Sequence, residues 1–173
     1  MIRKDIYEFR ENPFRLFDKN WAILCAKNKE ITNSMTISWG SLGTLYNKPV
    51  VIVYVRKTRF THKLMEEAPN FTISFLDPKY RKDMSILGTL SGRDSNKIEN
   101  TNLHYAYDID SDTAYIKEAD IVFKMKKISK LSLDDDTILD KNIIKDHYES
   151  KDEYHDVYIG FVTSYLEKET NND

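Results

Sequence analysis

The alternation of apolar and polar positions predicts a chain built mostly of strands with short helices between them. Val50 to Val55 is a run of six apolar residues, rich in β-branched types and preceded by Pro49, which reads as a strand covered on both faces. Asn70 to Leu76 sets Phe71, Ile73 and Phe75 against Thr72 and Ser74, the pattern of a strand with one apolar face. Asp77 followed by Pro78 is a helix start, an N-cap residue with proline at the first helical position, and Gly88 is a stop. The helix between them puts Tyr80, Met84 and Leu87 on one side. Ile121, Phe123 and Met125 alternate with Val122, Lys124 and Lys126, and the alternation slips at Lys127 and Ile128, which predicts a β-bulge. Asp156 to Leu166 closes the pattern with another strand. Many short strands and only two or three modest helices predict a mainly β fold, a closed or nearly closed β-barrel with helical insertions.

Composition adds exclusions. The chain has 173 residues, 40% of them hydrophobic and 31% charged, the profile of one ordinary globular domain over 1–173. No apolar run approaches the twenty or so residues of a membrane-spanning helix. The N-terminal MIRKDIYEFRENPF has no apolar core of a secretory signal, and Cys25 is the one cysteine, so a cytoplasmic protein is expected. The net charge of −2 conceals an asymmetry: residues 1–100 carry 17 basic and 11 acidic side chains, residues 101–173 carry 9 and 17. Neither half has the basic stripe of a nucleic-acid binder. From Asp134 to Asp156 nine acidic residues face three basic ones, which predicts a solvated surface excursion.

Several chemical motifs fail on their own terms. Asp108, Asp110 and Asp112 take the alternating ligand positions of a calcium loop. However, Thr113 stands where the loop needs glycine and Ala119 where it needs a bidentate glutamate. Cys25 sits within the apolar WAILCA and reads as a buried structural thiol. His147 and His155, without the i, i+4 spacing of a zinc site, are expected at the surface. No catalytic side chain is identified.

Anion-binding features survive, all in the basic half. Arg56 and Arg59 follow the apolar strand directly, and Thr61 is placed as N-cap of a short helix holding Leu64, Met65 and Ala68. Free N–H groups and the dipole at a helix start favour phosphate, and two guanidinium groups can grip it bidentately. The same arginines can equally be solvated or paired with Glu66 and Glu67. A second polar turn, TLSGRDSNK, offers Ser91, the Gly92 backbone, Arg93 and Lys97 to an anion.

Taken in order, "NSMTISWG", "VRKTRFT", "GTLSGRDSNK" and the late "YHDVYIGFV" resemble the flavin reductase-like family, the FMN-binding split barrels that include flavoredoxin-type proteins. The likeness runs from about Pro13 to Val162. It implies a six-stranded Greek-key barrel, a homodimer with FMN near the subunit interface, and NADH or NADPH as hydride donor to the flavin, or else an electron carrier serving a redox partner protein. It also implies that Met35, Thr36, Ile37 and Ser38 run along the flavin, largely through backbone groups. Trp39 is implied either as a flavin neighbour or as a core or interface residue. Arg56, Arg59 and Thr61 match the family's phosphate-side turn, and Ser91, Gly92 and Lys97 its second polar turn. Lys57 replaces a common proline and Phe60 a common tyrosine.

Overall fold

The computed structural model describes residues 1–93, 96–109 and 111–169. One antiparallel sheet dominates it. Its strands are β1 (Ile2–Lys4), β2 (Ala22–Lys27), β3 (Thr32–Ile37), β4 (Gly40–Leu45), β5 (Lys48–Arg56), β6 (Asn70–Phe75), β9 (Ile121–Ser132) and β10 (His155–Glu167), and β7 (Tyr105–Asp108) with β8 (Thr113–Ile116) makes a separate hairpin. The path through the main sheet is β3-β2-β6-β9-β10-β5-β4, with β1 added to the far end of β10. The sheet thus has eight strands where the resemblance implies six. The helices are a single turn α1 (Pro13–Arg15), then α2 (Phe60–Glu67), α3 (Arg81–Thr89) and α4 (Lys141–His147). Among the described residues no helix is long and apolar enough to cross a membrane.

The topology itself requires the sheet to curl. β3 and β4 are the two ends of the strand path, yet only Ser38 and Trp39 separate them in the chain. Three Cα–Cα steps, from Ile37 to Gly40, reach no more than about 11 Å, so the ends can be joined only if the sheet rolls until its edges face each other. No ladder joins β3 to β4 or β5 across that seam, so the barrel is split there.

Inside the barrel lie Leu24, Ala26, Met35, Ile37, Val51, Val53, Val55, Phe71, Ile73 and Phe123, all buried. A second apolar layer covers the outer face of β2, β6 and β9, where α3 and the β7–β8 hairpin bury Ile23, Cys25, Met84, Leu87, Ile116 and Val122. The strands covered on both faces are therefore β2, in the stretch WAILCA, and β6, whose polar face of Thr72 and Ser74, expected to stay open, is buried by bonds to the Ala114 carbonyl and from the Ile116 N–H of the hairpin. β5, expected to be so, is buried along its inner face through Val51, Val53 and Val55, whereas on the outer face Val50 is buried and Ile52 and Tyr54 are half-buried. Among the described residues no helix packs over Ile52 as α3 packs over β2, and Tyr54 borders the segment around Leu133 to Tyr148.

The slip expected near Lys127 is a bulge. Ile159 pairs with Ser129 and Gly160 with Lys127, which leaves Ile128 unpaired, and a second shift leaves out Thr163. Between the two bulges Gly160 lets β10 pass close over the core, because a Cβ there would lie 2.6 Å from Met125 Cβ and 2.9 Å from the Phe71 ring. The helix start at Asp77 is also found. Its carboxylate accepts from the Lys79 N–H and Pro78 opens a 3-10 turn that runs into α3. Of the failed calcium loop, Asp108 and Asp112 pair with Lys124 and Lys27, while Asp110 lies outside the described residues.

Candidate functional site

The seam between β3 and β5 opens into a pocket of about 260 Å³, lined by Met35, Thr36, Ile37, Ser38, Trp39, Tyr54, Arg56, Arg59 and His155. Seven of the eleven residues singled out in the sequence thus meet in one place. β3 is an edge strand, so on this side its N–H and C=O groups have no ladder partner. Its side chains are committed elsewhere. Met35 and Ile37 point into the core, and the Thr36 hydroxyl donates to the Met84 carbonyl of α3 at 2.5 Å. β3 therefore offers the pocket a strip of unpaired backbone.

The arginines come from the turn that follows β5. The Arg59 N–H donates to the Arg56 carbonyl at 3.0 Å, which closes the turn at once, and α2 begins at Phe60. Arg59, not Thr61, is therefore the N-cap residue, and no side chain caps this helix. Thr61 falls inside the first turn, buried at 1% exposure, where its hydroxyl accepts from Asn33 Nδ2 at 2.8 Å. Arg56 meets Glu153 at 3.4 Å, a partly exposed pair of small energetic value. The Arg59 guanidinium donates to the Gly88 carbonyl at 3.0 Å and has no carboxylate partner among the described residues. Pairing with Glu66 and Glu67 does not occur: Glu66 is held by Lys130 and Tyr158, and Glu67 by Asn28.

The second polar turn buttresses this arrangement from behind. Ser91 Oγ accepts from the Arg93 N–H at 3.2 Å. Gly92 is pressed against the first turn so closely that a Cβ would lie 2.5 Å from Asn33 Oδ1 and 2.8 Å from the Phe60 ring. Lys97, 4% exposed, donates to the Leu87 and Leu90 carbonyls at 2.7 and 3.3 Å, at the end of α3. Burial and then the charge of Arg59 draw its pKa down to about 8. Thr61, Ser91, Gly92 and Lys97 thus stand outside the pocket wall.

Two features of the site are absent from the sequence reading. His155 was expected at the surface but is 7% exposed, because it is the direct cross-strand partner of Arg56 and enters the cleft with it. Its ring lies 4.8 Å from that of Trp39, and Nδ1 is 3.0 Å from the Tyr148 hydroxyl. Burial, then Arg56 and Arg59, push its pKa down to about 4, so the imidazole is neutral at pH 7. The strand-to-strand register was the missing information. Secondly, the acidic excursion is more than a solvated face. Leu133, Ile138, Leu139, Ile143 and Tyr148 line, with Trp39 and Tyr54, an apolar cleft of about 590 Å³ that adjoins the first pocket. His147 is at the surface, its ring edge-on to Trp39 at 5.8 Å.

Behind the arginine turn, Asp156 is buried at 1% exposure. It accepts from Ser132 at 2.6 Å, meets His62 Nε2 at 2.7 Å, and lies 3.0 Å from Lys130 and 3.6 Å from Lys57. His62, Glu66 and Asp156 converge closely enough for a metal ion. Two lysine ammonium groups already supply the positive charge there, so the cluster is an ion-pair network.

The sequence model described as "Flavin reductase like domain" matches residues 14–173. No curated protein matches by sequence. Among solved structures, flavoredoxin from Methanosarcina acetivorans superimposes with a TM-score of 0.69 at 19% identity, over 87% of this chain and 69% of that one. An FMN-binding protein from Thermus thermophilus, with bound p-hydroxybenzaldehyde, gives 0.69 at 18% identity over 98% and 83%. The NADH:FAD oxidoreductase of Streptomyces globisporus gives 0.64 at 15% identity over 86% and 75%. At these identities the superpositions establish the fold.

Proposed function

Since the chain belongs to the flavin reductase-like family, we propose that the seam between β3 and β5 holds FMN and that the protein is an NAD(P)H-dependent flavin reductase. The observation that carries this reading is the convergence of an unpaired strand edge, Trp39 and two arginines on one pocket. A flavin presents the matching chemistry: a flat ring edged with N–H and C=O groups, and a phosphate. The Arg59 guanidinium, bonded to a carbonyl and to no described carboxylate, is an anion site in waiting. Trp39 flanks the ring, and the backbone of Met35 to Ser38 meets its polar edge. His155, kept neutral beside the arginines, can donate or accept one hydrogen bond through Nε2.

Bound in this way, a flavin supplies N5 as the hydride acceptor, and the protein supplies orientation and exclusion of water. No side chain is required as an acid or base. The Streptomyces relative, named an NADH:FAD oxidoreductase, supports a nicotinamide donor. The flavoredoxin relative supports a second reading, an electron carrier between a donor and a redox partner protein. One experiment separates the two. The protein reconstituted with FMN is expected to show flavin absorbance that bleaches on anaerobic addition of NADH or NADPH. Flavin that stays oxidised would leave only the carrier, and failure to retain any flavin would remove both.

The half-buried outer face of β5, with Ile52 and Tyr54 and the neighbouring Ile159 and Phe161 of β10, is the surface on which we place a second copy of the chain. Sedimentation at micromolar concentration should give the mass of two chains; the mass of one would refute the homodimer.

A further inference from the structure

The cleft beside the acidic excursion and the seam pocket share Trp39 and Tyr54, and one further contact ties them together. Tyr148 lines the cleft, His155 lines the seam pocket, and the Tyr148 hydroxyl lies 3.0 Å from His155 Nδ1. Both partners are held in place. The Tyr148 N–H donates to the Ile144 carbonyl at the end of α4, and its ring packs on that of Tyr154 at 4.6 Å. Tyr154 is itself anchored, its hydroxyl donating to Asp135 at 2.5 Å. His155 is set by its register against Arg56 and by Trp39, 4.8 Å from its ring.

The direction of the bond decides what His155 offers the pocket. A neutral imidazole carries one ring proton, so whichever role Nδ1 takes, Nε2 takes the opposite one. Two observations make Tyr148 the donor. Among the described residues its hydroxyl has no acceptor other than Nδ1, and in a half-buried position a phenol proton left without an acceptor is costly. Burial also raises the Tyr148 pKa against the pull of Arg56, so the phenol keeps that proton. Nδ1 is then the acceptor and the ring proton sits on Nε2. Nε2, without a partner among the described residues, is the nitrogen left for the pocket.

We propose that Tyr148 is a positioning residue: by donating to Nδ1 it fixes His155 as a hydrogen-bond donor through Nε2, aimed at the flavin ring beside Trp39, where it favours the reduced, anionic flavin over the oxidised, neutral one. This rests on the flavin reading of the seam pocket. With Nε2–H in place, Arg56, Arg59 and His155 present only donors to that pocket, so added negative charge on the ligand is stabilised. The opposite tautomer would turn a lone pair toward it. The segment between β9 and β10 thus reaches the flavin site through one hydroxyl.

The first test needs no flavin. Long-range proton–nitrogen NMR of the apo protein carrying isotope-labelled histidine, with His155 assigned by the loss of its signals in His155→Gln, should show a single Nε2–H tautomer whose Nδ1 accepts a hydrogen bond. In Tyr148→Phe the Nδ1 signal should move to that of a nitrogen without this donor. A wild type with the proton on Nδ1, or an Nδ1 signal indifferent to Tyr148→Phe, would overturn the proposal. The second test reads the ligand. Tyr148→Phe should weaken reduced FMN about threefold to tenfold relative to oxidised FMN, a fall of about 15 to 30 mV in the two-electron potential of the bound flavin. In the His155→Gln background the same substitution should change nothing, because the ring it positions is gone. An unchanged potential, equal weakening of both redox forms, or a loss that persists without His155 would overturn the proposal while leaving the flavin site standing. A wild type that binds FMN in neither redox form would overturn it together with the reading on which it rests.

Discussion

Arg59→Ala is expected to weaken FMN binding roughly tenfold to a hundredfold and to leave riboflavin binding nearly unchanged. The guanidinium lines the seam pocket and, among the described residues, is bonded there only to the Gly88 carbonyl. A charge-assisted contact to a dianionic phosphate contributes on the order of 1.5 to 3 kcal/mol, which sets the expected range. Riboflavin carries no phosphate and never had that contact to lose. Arg59 is exposed, and its bond to Gly88 contributes about 1 kcal/mol at most, so the fold should persist. Fluorescence titration of both ligands into apo wild type and variant reads the difference. Parallel losses for FMN and riboflavin would make Arg59 a structural residue and move the phosphate elsewhere.

The largest effect on stability is expected at Asp156. Asp156→Ala should cost about 3 to 5 kcal/mol, because it removes the buried carboxylate that Lys130, Lys57 and His62 share and leaves Ser132 without its acceptor, with Glu66 alone left beside Lys130 and His62. In a chain of this size that is a fall in Tm on the order of 10 °C. The pH dependence follows from the same contacts. Burial alone would raise the pKa of this carboxyl, but bonds from Ser132, His62 and Lys130 outweigh it and hold the value down at about 2. An unfolded aspartate titrates near 3.9, so the stability it contributes is complete above about pH 4 and disappears as pH falls toward 2. The wild type should therefore lose stability through that window, and the variant should lose less. Urea unfolding at pH 7 and pH 3 measures both effects, and a cost below 1 kcal/mol at pH 7 would contradict the network.

How much of this was legible in the sequence depended on whether the cause was local. The bulge at Ile128 showed as a break in alternation, and Asp77-Pro78 carried its own capping chemistry. The arginine turn announced itself because charges at the end of an apolar strand need a reason. The start of α2 was misplaced by two residues because the turn closing onto Arg56 leaves Thr61 already helical. His155 was misjudged because its burial is decided by its register against Arg56, a strand partner far away in the chain. The apolar cleft beside the acidic excursion was hidden because a charge count averages over Ile138, Leu139 and Ile143, which line it with Trp39, Ile138 buried and the other two exposed. In β5 six apolar residues predicted two covered faces, but the cover belonging to this chain buries the outer one only at Val50.

The position of β10 has a kinetic meaning. It is hydrogen-bonded to β9 along one edge, and to β5 and then β1 along the other. Without it the sheet falls into two fragments, one of β3, β2, β6 and β9, the other the β4–β5 hairpin, joined by the peptide at Ser38 and Trp39 and by the α2 segment that runs from β5 to β6. One wall of the seam pocket belongs to the first fragment and the other to the second. No partly folded form that lacks the β10 pairings can assemble both walls, so the ligand recognises the completed barrel and nothing earlier on the folding route. The appearance of ligand-binding capacity during refolding should thus report the β10 pairings, and bound ligand should oppose global unfolding while leaving local fraying untouched.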